Sequence, residues 1–148
     1  MIEIILDFKD IKTEEELVLY VRKKLGLPYK NRVGKWDAFI DDFTDIFTKV
    51  PSKDYIYQDD DEWCWDGNYD DYKYYMDTLW EIGPKDENGN KGDMKLIFIN
   101  FYQFLNEHYG IALKFLEIVL KYVNISNQEN KSKCLADQWY KMVVEIRG

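Results

Sequence analysis

The chain has 148 residues, with 28 acidic and 20 basic side chains, one histidine and a formal charge of -8. At 46% hydrophobic and 17% aromatic it is no disordered tail, although 32% of its residues are charged, and its length suits one domain with its own core. An acidic balance repels phosphate, which argues against nucleic acid and anionic membranes as direct partners and favours a basic one.

Residues 2–8 are mostly apolar and predict a short strand. Thr13 and Glu16 then form a capping box, the threonine hydroxyl accepting from the Glu16 amide while the glutamate reaches back. Leu17, Val18, Val21 and Leu25 follow at helical spacing, Gly26 offers a left-handed stop, and Pro28 ends the helix. A second helix is expected from Trp36 to Val50, halted by Pro51. Its core stripe is Trp36, Phe39, Ile40, Phe43, Phe47 and Val50. Residues 51–93 carry no clear period; Tyr72 to Trp80 fits a helical piece, and Pro84 to Asp93 has the composition of a surface loop. Met94 to Asn100 is a second strand. Two helical stretches follow at Phe101–His108 and Ile111–Val123, the latter so apolar that burial on most sides is expected. A polar loop at 124–133 leads to a closing strand, Tyr140–Arg147. The fold class is therefore α/β: a small three-stranded parallel sheet packed with helices in a single domain, 1–148, with an acidic-aromatic insertion at about 51–93.

The charge is concentrated. Between Asp37 and Asp77 there are 13 acids and 3 bases, a net of -10, while the remaining chain is +2. Within this stretch Asp37, Asp41 and Asp45 are spaced by four on the second helix, with Asp42 alongside. Like charges at that spacing cost a few tenths of a kcal/mol per pair, and aspartate is a mediocre helix former. Asp37 sits in the first turn, where the helix dipole welcomes an anion; Asp41 has no such excuse. A solvated face and a face shaped for a cationic partner both fit the pattern. Further on, Asp60, Asp61, Trp63 and Trp65 mix acids with aromatics, which serves either an extended interface or the fold itself.

The stretch Leu25-Gly-Leu-Pro28, then Tyr29 and Gly34, then Trp36-Asp37-Ala38-Phe39-Ile40-Asp41 resembles the barstar family of ribonuclease inhibitors. The element order is similar as well, so the likeness covers residues 1–50 closely and 94–148 loosely. In that family a tyrosine turn and helix aspartates enter the active-site cleft of a small basic ribonuclease and block it. The resemblance implies an immunity-type inhibitor of a basic nuclease toxin, not an enzyme. Tyr29, Gly34, Trp36, Asp37, Asp41, Asp42 and Asp45 would meet the partner, and Asp60, Asp61, Trp63 and Trp65 would extend the contact. The turn departs from the family pattern: Lys35 stands where asparagine is usual, and one extra residue separates Pro28 from Asp37.

Other chemistries have little support in the residues. Cys64 and Cys134 make no metal-ligand spacing with His108, and two reduced thiols are expected in a cytoplasmic protein. No signal peptide and no apolar run of membrane-spanning length is visible. Asp86 to Gly92 begins like a calcium loop, but Lys91 replaces the turn glycine and Ile97 the bidentate glutamate. No phosphate-binding, nucleophile-elbow or zinc-protease motif is present, so no cofactor and no metal are expected. The alternatives are a small acid/aromatic carbohydrate-active or carbohydrate-binding domain, or a non-nuclease scaffold domain.

Overall fold

The computed structural model describes residues 1–27, 36–49, 77–128 and 138–148. Three strands, β1 (Ile2–Asp7), β2 (Met94–Ile99) and β3 (Met142–Arg147), form a parallel sheet in the order β1-β2-β3. The helices are α1 (Glu14–Lys24), α2 (Trp36–Phe47), α3 (Phe101–Glu107) and α4 (Tyr109–Ser126), with a further helical turn at 77–81. The α/β class and the three parallel strands expected from the sequence are observed.

Register explains which side of the sheet is covered. Ile4 aligns with Leu96 and Val144, and Leu6 with Phe98 and Ile146, so these six side chains point to one face. Against that face pack the phenylalanines. All eight in the chain are buried, and their rings form one continuous contact series. Phe8 touches Phe98, Phe101, Phe104 and Phe115; Phe115 touches Phe39; Phe39 touches Phe43, which touches Phe47. Fully burying one such ring contributes about 1.5–3 kcal/mol, and favourable ring–ring geometry adds about 0.5–1.5 kcal/mol per pair. The series ties β1, β2, α3 and α4 to α2, and so fixes how α2 is turned.

Helix ends follow the local chemistry. The Thr13 hydroxyl accepts from the Glu16 amide at 3.1 Å, and the Glu16 carboxylate accepts from the Lys12 amide at 2.9 Å, one residue before the cap. At the other end Gly26 takes φ +66°, and the Leu27 amide donates to the Arg22 carbonyl at 2.9 Å, closing α1 as a Schellman stop. Helix α2 ends at Phe47, three residues earlier than Pro51 alone suggested. There the chain turns into an antiparallel bridge, Thr48 to Trp139, with Tyr140 N–H donating to the Phe47 carbonyl at 2.7 Å. The same bridge delays β3, which begins at Met142 and not at Tyr140.

Two expectations need correcting. The surface loop expected at Pro84 to Asp93 is exposed at 86–90, but its Lys91 is only 8% exposed, and ahead of it Leu79 and Ile82 belong to the core. Nor is α4 buried on most sides. Leu113 and Leu116 are half-buried and Leu120 is 47% exposed, because the core covers only the side carrying Ala112, Phe115, Val119 and Tyr122. The turn after 77–81 sits where three elements meet. Gly83 donates its amide to the Gly26 carbonyl at 3.2 Å, and a Cβ at Gly83 would stand 3.0 Å from Ile46 Cγ2. With φ at +86° as well, Gly83→Ala is expected to destabilise the fold by roughly 1–3 kcal/mol in denaturant unfolding; an unchanged midpoint would contradict this packing.

Candidate functional site

The rotation of α2 sorts its aspartates. With Phe39, Phe43, Ile46 and Phe47 turned into the core, Asp37 and Asp41 lie on the solvent side, both exposed. One helical turn separates them, which sets their Cβ atoms about 5–6 Å apart. Trp36 is half-buried and packs edge-on against Phe39, centroids 5.9 Å apart, so it anchors the first turn as well as flanking Asp37.

Asp42 does something else. It is 6% exposed, and its carboxylate accepts from Arg22 Nη1 at 2.7 Å, an ion pair with Arg22 itself 3% exposed. The expectation that Asp42 faces a partner is therefore corrected: its charge is already matched across the α1–α2 contact. A signal for this was present in α1. Arg22 follows Val18 by four residues, inside the stripe that buries Leu17, Val18, Val21 and Leu25, and a guanidinium in such a position needs a carboxylate.

Asp45 is half-buried and faces the insertion. Lys91 lies near it, donating from Nζ to the Leu79 carbonyl at 3.1 Å. Burial lowers the Lys91 pKa from its ordinary 10.5 to about 8; nearby Lys85 pushes the same way, while Asp45 opposes them. Asp45 is thus partly withdrawn from solvent, with the buried Lys91 ammonium within its electrostatic reach. Tyr29, Gly34, Asp60, Asp61, Trp63 and Trp65 lie outside the described residues.

Among the described residues a further polar cluster surrounds Asp7. At the carboxyl end of β1, Asp7 accepts from Asn100 Nδ2 at 2.8 Å and from the Lys9 amide at 3.0 Å. The Asn100 bond holds the Asp7 carboxyl below the usual range. Asn100 itself sits at φ +57°, the left-handed conformation that asparagine tolerates, and turns the chain from β2 into α3. Among the described residues no group of three or more His, Cys, Asp or Glu is placed to hold a metal ion, and no helix is long and apolar enough to cross a membrane. Compared with known proteins, the chain matches no family model, no curated protein and no solved structure.

This division of the aspartates is measurable without any partner. Asp42→Ala takes the carboxylate away from a buried guanidinium and is expected to cost roughly 3–5 kcal/mol. Asp41→Ala removes a poor helix former beside two like charges and is expected to gain about 0.5 kcal/mol. Equal effects in chemical denaturation would refute the assignment. Lys91 gives a pH signature. Between about pH 8 and 10.5 the unfolded chain holds a proton that the folded chain has lost, so stability rises with pH across that window. Lys91→Met is expected to flatten the rise; a mutant that keeps the full slope would show that another group causes it.

Proposed function

We propose that the chain is a barstar-like inhibitor that neutralises a basic nuclease toxin by presenting the first two turns of α2 to its active site. The observation that carries this reading is the pair Asp37 and Asp41. Both carboxylates point to solvent from a helix whose other side is locked by phenylalanine packing and by the Arg22–Asp42 pair. Phosphate-binding clefts are built from Lys, Arg and His, and two rigid carboxylates one turn apart suit such a cleft with little ordering cost on binding. The element order and the parallel sheet agree with what the barstar resemblance implies. On this reading the protein binds where RNA binds, carries no cofactor and performs no catalysis.

Only part of the acidic helix takes part. Asp37 and Asp41 supply the electrostatic contact, Trp36 supports it, and Tyr29 with Gly34 frames it by resemblance alone. Asp42 acts indirectly, by fixing the pose of α2, and half-buried Asp45 lies one turn beyond the exposed pair. Complementary charge of this kind speeds association and weakens as salt screens it.

The test is inhibition of RNA cleavage by a small secreted basic ribonuclease, and by any basic domain encoded beside this chain. Asp37→Ala and Asp41→Ala are each expected to weaken inhibition about 10- to 100-fold, with affinity falling as ionic strength rises. Inhibition that survives loss of both carboxylates would remove α2 from the mechanism. Absence of inhibition for every basic nuclease tried, with the protein folded, would count against the reading as a whole.

A further inference from the structure

Helix α4 is apolar over a wider arc than the core covers. Beside its buried side runs a second line, Tyr109, Leu113, Leu116 and Leu120, spaced by four, three and four residues. Leu113 and Leu116 are half-buried, while Leu120 is 47% and Tyr109 62% exposed. Alternating steps of four and three keep side chains in one narrow seam along a helix, the arrangement by which helices pair lengthwise. The core reaches this seam only at Leu116, which packs against it partly buried, and leaves Tyr109 and Leu120 exposed.

We propose that α4 is the contact between two copies of this chain, laid antiparallel about a two-fold axis that passes between Leu113 and Leu116. The four-three-four spacing reads the same from either end. A reversed copy therefore brings Leu113 against Leu116 of the second copy, and Tyr109 against its Leu120, so the two most exposed apolar residues of the seam cover each other. No apolar member of the seam is left facing water.

Charge fits the same register. Lys114 and Glu117 are exposed on one flank of the seam. In the reversed arrangement each Lys114 stands between its own Glu117 and that of the second copy, a four-charge cluster with no net charge. The flank also lies outside the acidic stretch 37–77, in the part of the chain whose net charge is +2, so two copies meet there without a general excess of acid.

Sedimentation velocity of the whole protein from about 5 µM to 0.5 mM tests the proposal, since a modest helix-pair contact has micromolar affinity. A concentration-dependent monomer–dimer equilibrium is expected. Leu120→Lys is expected to weaken it at least about tenfold, and Tyr102→Lys, at an exposed residue of α3 outside the seam, to leave it unchanged. Lys114→Glu should weaken the dimer, and adding Glu117→Lys to it should restore it, a rescue that a general loss of folding cannot produce. A monomer at every concentration overturns the proposal, whatever else then binds α4. A dimer indifferent to Leu120→Lys, or a charge swap without rescue, does the same.

Discussion

The turning of α2 about its own axis is the constraint on which the rest depends. Three phenylalanines of that helix, Phe39, Phe43 and Phe47, join a ring series that runs through α4 to the sheet. Tyr122 closes it from α4, lying 5.5 Å from Phe43 and 5.9 Å from Phe47. Because interiors are packed to crystal-like density, a helix held by rings at i, i+4 and i+8 has little rotational freedom. Its polar residues then have no choice of direction. Two carboxylates meet water, one meets a buried arginine, and that of Asp45 is half-buried.

This gives a physical reason for an otherwise costly sequence. Four aspartates on a twelve-residue helix weaken it through propensity and mutual repulsion. The Arg22–Asp42 pair supplies orientation more than stability, since a buried ion pair gains little over apolar packing but is expensive to break. It ties α2 to α1 in one pose. At the other end Gly83 packs against Ile46 of α2 and donates to the Gly26 carbonyl after α1. The exposed pair, Asp37 and Asp41, is thus displayed on a helix fixed from three directions.

The strands and the capped start of α1 were legible in the sequence, because a short apolar run, a Thr-x-x-Glu box and a glycine stop are local codes. The ends of α2 and β3 were not. Thr48 and Trp139 are 91 positions apart, and only their tertiary pairing halts one element and delays the other. The two exposed aspartates were legible as part of a stack, whereas the separate role of Asp42 was hidden for the same reason: its partner lies on another helix. An arginine inside the apolar stripe of α1 was the available clue. Lys91 looked like loop composition, and nothing local told that its stem would enter the core. In α4 the converse held: hydrophobicity suggested burial, but a helix beside a three-stranded sheet has more apolar arc than neighbours to cover it.

The functional reading rests on α2 being the surface that a basic nuclease meets. The most direct measurement is amide chemical-shift mapping of labelled protein titrated with a small basic ribonuclease whose cleavage it inhibits. Shifts are predicted to centre on residues 36–41 in the first two turns of α2, with the Arg22–Asp42 contact and the sheet unperturbed. Saturable inhibition with α2 unmoved and the shifts confined to another face would contradict the reading.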